Sequence, residues 1–418
     1  MTPSSLKWRQ AHLGTFRKIQ VDLIRNPKIG NLTVSSEEGD IKVGGESSLS
    51  MDEEILIPGL SNDVAILCLV RLSRAVIPIA RSVCSAWKQL LDSDEYPLLR
   101  KEAGKAEGWI YVLPEHPSGN IFKAFNPKLN KWYDLPRLPG FGDGSESLAS
   151  SWEGFSCVAV EDMLFIMGGI YRYPDSRTGV VTGIMKIYHS RLNKWLEGVS
   201  MMTPRSWFAA ASIGKRIYVA GGQGRTGFLS TCEFYDVEMN AWFTAPNMAC
   251  VRSSCRGIAY EGRFWVLGGE FERHQHGLRP VKGSAEVYDA KSGKWVLVRE
   301  MCVDIHKVPW PCTIQEGKLL TLYRDRIMSY DVDQNRWEDM GKTWASMPYG
   351  TAFESVGGCV FGIGGLAFIA SRPMMSKNLS SVHSSNLSRS GLCSVTWKKC
   401  ADIPGASGTI LASCVLYL

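Results

Sequence analysis

The sequence has no apolar run of the roughly 18 residues that a membrane-spanning helix needs, and no apolar h-region behind its N-terminus. Neither membrane insertion nor secretion is expected, which places the chain in the cytoplasm, the nucleus or both. None of its 12 cysteines forms a C-x-x-C pair, and several, such as Cys157, Cys312 and Cys414, fall in strand-like runs, so buried free thiols are expected instead of disulfides. Histidine is scarce, with 7 in all, and His274-x-His276 stands in one polar loop without further ligands; a pair of that kind is usually solvated, and no metal or cofactor is expected. No Gly-x-Ser-x-Gly elbow, phosphate loop or dinucleotide fingerprint occurs, which argues against an enzyme. The net charge of +6 is mild and its Lys and Arg are scattered, so nucleic acid is not an expected partner.

What the chain does have is a repeat. From Phe208 to Trp242 four short apolar runs are separated by Gly214-Lys215, by Gly221-Gly222 and by a turn through Glu238 to Asn240, which is the punctuation of antiparallel hairpins. An aromatic in the third run stands seven residues before a Trp in the fourth at Phe125/Trp132, Tyr188/Trp195, Tyr235/Trp242, Tyr288/Trp295 and Tyr330/Trp337. Double glycines recur at Gly168-Gly169, Gly221-Gly222, Gly268-Gly269 and Gly364-Gly365, and Leu322-Tyr323 stands where one pair is missing. With Trp397 as a sixth outer Trp, residues 109–418 hold six repeats of about 52 residues.

These residues resemble the kelch motif of Gly-Gly, then Tyr-Asp, then Trp, and the resemblance covers about three quarters of the chain. It implies a mainly β fold, a six-bladed kelch β-propeller over 109–418. The paired glycines permit positive φ and close approach of neighbouring blades, and the Tyr and Trp fill the wedges between them. Some kelch propellers are copper oxidases, but the His and Tyr ligands that chemistry requires are not patterned here. The first repeat opens at Trp109-Ile110-Tyr111-Val112, which matches a second run, while residues 408–418 read as a first run; the C-terminal strand is expected to complete the first blade.

Residues 1–54 carry a basic half and then an acidic half, with frequent Gly and Ser, and are expected to form a disordered arm. From 55 to 99 the pattern turns helical: Ser61 or Asn62 caps a first helix, and a second begins near Pro78 and runs on to Leu91. Residues 100–108 read as a linker. So small a module needs a partner to complete it. GLSNDVAILCLVRL followed by SVCSAWKQLL resembles an F-box, although Ser61 and Ser73 stand where that family prefers Pro. The resemblance implies binding of a Skp-type adaptor, and through it a cullin. Carried over by position, Leu60, Val64, Leu67, Leu69, Val83, Cys84 and Trp87 would face the adaptor.

In an antiparallel blade the turns after strands one and three share one face of the ring, and the loops after strand two share the other with the linkers. Here the second class is long, as at 171–183, 223–228, 270–283 and 366–390, and recognition of a target protein is expected on that face. Trp152, Trp207, Trp310, Arg205 and Arg252 lie in its linkers and are the candidate anchors. Eight of the twenty residues from Ser371 to Ser390 are Ser, read as a mobile tether on which phosphorylation would reverse a basic charge. The resemblance as a whole implies a plant-type F-box/kelch-repeat protein, the non-catalytic substrate receptor of a Skp/cullin/F-box ubiquitin ligase. The alternative is a kelch scaffold for signalling or cytoskeletal partners.

Overall fold

The computed structural model describes residues 55–115, 121–139, 151–172, 179–269, 283–301, 311–345, 350–369, 372–387, 395–406 and 408–417. The arm 1–54, Trp310, and the His274-x-His276 loop lie outside them. The chain forms two compact units, Met1–Glu107 with Leu418, and Gly108–Tyr417.

Among its described residues the first unit has four short α-helices, α1 (Asn62–Leu69), α2 (Ile77–Ala80), α3 (Ser85–Asp92) and α4 (Glu95–Glu102), with a 3-10 turn at Arg74–Val76. The single helix expected from Pro78 to Leu91 is broken. Pro78 opens α2, and Cys84 then adopts an extended backbone and caps α3, its Sγ accepting from the Trp87 N–H. The expected linker 100–108 also begins inside α4. Its Arg100 is fully buried and donates to the carbonyls of Val70, Leu72 and Lys105, which gathers the end of α1 onto α4. Ile66, Leu69, Val70, Ile77, Leu91, Tyr96 and Leu99 fill the space between.

Among the described residues of the second unit six four-stranded antiparallel sheets follow one another. Their inner strands are Ile410–Tyr417, Ser156–Val160, Ala209–Ile213, Arg256–Tyr260, Cys312–Gln315 and Ala352–Val356. Each touches the next in that order and the last touches the first, so the strands close a ring. Closure runs through the first sheet, where Trp109 pairs with Leu416 and Tyr111 with Cys414.

The seven-residue aromatic spacing has a direct cause. Phe125, Tyr188, Tyr235, Tyr288 and Tyr330 are the cross-strand partners of Trp132, Trp195, Trp242, Trp295 and Trp337. Ring centroids lie 5.0 to 5.3 Å apart in all five pairs. In each turn between them an Asn or Gly holds the left-handed conformation, and the Tyr188, Tyr235 and Tyr330 hydroxyls donate to Asn193, Asn240 and Asn335. Each outer Trp also reaches backwards. The indoles of Trp195, Trp242, Trp295, Trp337 and Trp397 donate to carbonyls in or just after the preceding sheet, and Trp132 donates to Ala401 behind the sixth, all at 2.5 to 3.0 Å. One hydrogen bond per seam, each worth about 1 kcal/mol, thus runs round the whole ring.

The double glycines sit where a linker crosses them. A Cβ on Gly168 would stand 2.5 Å from the Arg205 carbonyl, and one on Gly221 would stand 2.7 Å from that of Arg252. Both glycines have positive φ. The fifth sheet lacks the pair because its second and third strands, Lys318–Tyr323 and Arg326–Asp331, are joined by the tight turn Arg324-Asp325, leaving no long loop to launch.

The Ser-rich stretch is not the tether expected of it. Leu366–Ile369 pairs with Arg372–Asn378 as a hairpin, and Val382–Ser385 is the third strand of the sixth sheet. Its run of small polar residues carries no apolar alternation, so a strand was not visible in it. In the loop after the second strand of the second sheet, Ile170–Arg172 pairs with Ser151–Glu153 and with Val180–Val181.

Candidate functional site

The linkers that lead into the inner strands place two residues in fixed roles. Four residues before an inner strand stand Trp152, Arg205 and Arg252; two residues before stand Gly154, Trp207, Ser254, Gly350 and Gly408. The sequence places Trp152, Trp207, Trp310, Arg205 and Arg252 in one set of linker anchors. The structure regroups them by register.

At the first position the side chain is a clamp. Trp152 Nε1 donates to the carbonyl of Gly168, Arg205 Nη1 to that of Gly221, and Arg252 Nη1 to that of Gly268, at 2.9, 2.8 and 2.8 Å, each bridging sixteen residues. Arg205 and Arg252 are 0% exposed and Trp152 is 2% exposed. These three are therefore not surface anchors for a target, because they are buried and turned inward onto the double-glycine turns. Each arginine is neutralised inside the fold, Arg205 by Glu233 at 2.8 Å and Arg252 by Glu286 at 2.9 Å. Both carboxylates also accept two linker N–H groups, from Met202 and Thr203 and from Ala249 and Cys250. Sequence reading missed both glutamates; their signal is a Glu two residues before the third-strand Tyr in two successive repeats.

At the second position the backbone is left-handed in every described linker: Gly154 φ +63°, Trp207 +49°, Ser254 +53°, Gly350 +65° and Gly408 +99°. Trp207 is the outlier in chemistry. A bulky residue in this region costs about 1–2 kcal/mol relative to an extended one. It is held by its N–H, which donates to the Gly154 carbonyl at 2.6 Å, and by its ring, which covers Gly154 so closely that a Cβ there would sit 2.8 Å away. The ring is half-buried and lines an open cavity of about 540 Å³ at the end of the ring where the linkers enter the inner strands. Trp310 has the same register, two residues before Cys312.

Deeper in the ring, Ser413 donates to Glu354 across adjacent inner strands at 2.5 Å. Burial holds the Glu354 carboxyl above the usual carboxylate range, against the opposing effects of Ser413 and of Arg256. Buried thiols follow the same physics: desolvation pushes Cys232 up to about 12 and Cys255 up to about 11, which makes them inert. All ten described cysteines are free, but Cys68 and Cys84 are exposed instead of buried. No group of three or more His, Cys, Asp or Glu residues able to hold a metal occurs among the described residues.

In the helical unit the residues expected to face an adaptor divide. Leu60, Val64, Val83 and Cys84 are exposed, Val83 at 60%. Leu69 is 1% exposed and belongs to the core, because it lies on the face of α1 that meets Tyr96 and Leu99. Leu67 is half-buried. Trp87 packs against the core, and its indole donates to the Leu56 carbonyl at 2.6 Å, tying the incoming chain to α3. Four exposed aliphatics were missed, Ile55 at 66%, Val76 at 41%, Ile79 at 68% and Leu98 at 47%.

Sheets of four strands in a closed ring, double-glycine turns and stapled outer tryptophans define a kelch-type β-propeller, preceded in the chain by a small helical unit. The family model for the kelch motif matches residues 204–249. Three F-box/kelch-repeat proteins of Arabidopsis thaliana are similar to most of the chain. One is 27% identical over 69% of this chain and 75% of its own length. A second is 30% identical over 64% and 68%, and a third 30% over 66% and 60%. A solved structure, that of YjhT, aligns at a TM-score of 0.46 and 13% identity over 65% of this chain and 87% of the other. The chain belongs to the F-box/kelch-repeat proteins.

Proposed function

We propose that this chain is the substrate-receptor subunit of a Skp/cullin/F-box ubiquitin ligase. The helical unit docks the Skp-type adaptor, the adaptor brings the cullin, and the propeller holds a target protein on its loop-rich face around Trp207. The chain performs no bond chemistry. It raises the local concentration of target lysines near the ubiquitin-loaded enzyme, so its contribution is proximity.

The observation that carries this reading is the surface of the helical unit. Ile55, Leu60, Val64, Val76, Ile79, Val83 and Leu98 are all at least 40% exposed, beside a single core built from Ile66, Leu69, Val70, Ile77, Leu91, Tyr96 and Leu99. A module of this size does not leave seven large aliphatics in water without a partner to cover them. The test is co-purification of a Skp-type adaptor with the full chain and with an Ile79→Asp, Val83→Asp double variant. Both side chains are exposed, so the variant should fold and lose the adaptor. Retention of the adaptor by the folded variant, or its absence from the unaltered protein, would favour the scaffold reading without a ubiquitin role.

A further inference from the structure

The cavity inside the ring has a chemistry that the receptor role does not use. It is lined from the inner strands of five of the six sheets, and its volume of about 540 Å³ lies within the roughly 300–1,000 Å³ of small-molecule sites. Among the described residues one cation, Arg256, lines it. The Arg205 and Arg252 side chains donate to carbonyls and a glutamate, whereas the Arg256 side chain makes no hydrogen bond or ion pair among the described residues. A half-buried arginine on this cavity, with the Glu354 carboxyl as its electrostatic neighbour and no hydrogen bond from its guanidinium among the described residues, offers a fork of donors for a carboxylate.

We propose that this cavity binds a small organic carboxylate with an aromatic or branched apolar body. Arg256 takes the carboxylate, Ser254 and Thr409 supply hydroxyls at the mouth, and Phe155, Trp207, Ile410 and Leu411 form the apolar wall. Charge favours a monoanion. Glu153 also lines the cavity, paired at 3.3 Å with Arg172, and Glu354 lies within the electrostatic reach of Arg256. A doubly charged phosphate would meet one cation against two acids. Burial holds the Glu354 carboxyl toward its neutral form, which lessens its repulsion of a single carboxylate.

The test is calorimetric titration of the full chain with benzoate, 2-naphthoate, benzamide and inorganic phosphate. Benzoate should bind with a Kd near about 1 mM, as expected for so few atoms, and 2-naphthoate about tenfold more tightly through the wall. Benzamide, the neutral isostere, should lose about tenfold or more, and phosphate should bind more weakly than benzoate. Arg256→Gln should weaken benzoate about tenfold while the chain still folds, since the Arg256 side chain makes no hydrogen bond among the described residues. Should that variant fail to fold, Arg256→Lys must still prefer benzoate to benzamide, and the comparison of the two probes on the unaltered chain needs no variant. Equal affinity for benzoate and benzamide, phosphate as the tightest probe, or no benzoate heat up to about 20 mM would overturn the proposal. So would benzoate binding unaffected by Arg256→Gln. If Arg256→Gln instead abolishes capture of a protein while benzoate never binds, the guanidinium serves the target and the small-ligand proposal fails.

Discussion

Arg205 and Trp207 stand two residues apart in one linker and obey opposite constraints. Arg205 is fully buried, with its guanidinium spread over two backbone carbonyls, a threonine hydroxyl and Glu233. Trp207 is half-buried at the cavity mouth in a backbone conformation that suits Gly154, Gly350 and Gly408 better. Trp and Arg are both frequent interface anchors, so residue type alone does not separate them. Register does. Four residues before the inner strands of the second, third and fourth sheets stands a donor for that sheet's double-glycine turn, a Trp indole in one blade and an Arg in the next two. Two residues before, the fold asks only for a left-handed backbone, and an aromatic placed there against local preference points to a use outside the fold.

The largest effect is expected where the clamp is broken. Arg252→Ala leaves Glu286 buried beside Ala249 and Cys250 with its charge uncompensated, and should cost about 3–5 kcal/mol in denaturant unfolding. An Arg252→Met, Glu286→Leu double variant should recover much of that loss. If Arg252→Ala were as stable as the unaltered protein, the linker arginines would not be clamps. A smaller effect is expected at the seam: Trp242→Phe keeps the ring against Tyr235 but removes the N–H from the Val199 carbonyl, for about 1 kcal/mol. No change at all would mean that the six indole bonds do not hold the blades together.

The third effect is one of pH. The Glu354 carboxyl is raised in the folded state by burial, so its contribution to stability is complete below the unfolded carboxylate value of about 4.3 and is lost as pH rises through the folded value. Glu354→Gln keeps an acceptor for Ser413 and cannot ionise. Its melting temperature should match that of the unaltered protein near pH 4 and exceed it near pH 8. A variant equally stable at both ends, or less stable at pH 8, would show that Glu354 carries no buried-charge penalty.

Much of the propeller was legible because its spacing is set by pairing. An aromatic seven residues before a Trp is what a five-residue strand, a tight turn and a second strand require when the two residues are cross-strand partners, as Tyr235 and Trp242 are. The opening half-repeat at Trp109 likewise has its partner strand in Ile410–Tyr417. The site was less legible. Whether Arg205 faces solvent or a buried Glu233 depends on contacts 28 residues away, and no local pattern reports them. The helical unit misled in the same manner: Leu69 belongs to an apolar stripe, but a stripe does not say which of its residues face the core and which a partner. Only the break at Cys84 decides that Val83 points outward.

The most direct test of the receptor account is to compare the proteins captured by the unaltered chain and by Trp207→Asn during affinity purification under proteasome inhibition. Asn tolerates the left-handed backbone, so the variant's stability should change by less than about 1 kcal/mol. The expected result is a specific captured protein that disappears with Trp207→Asn while the Skp-type adaptor remains. An identical list of captured proteins from a correctly folded Trp207→Asn chain would contradict the assignment of the cavity mouth as the target-binding surface.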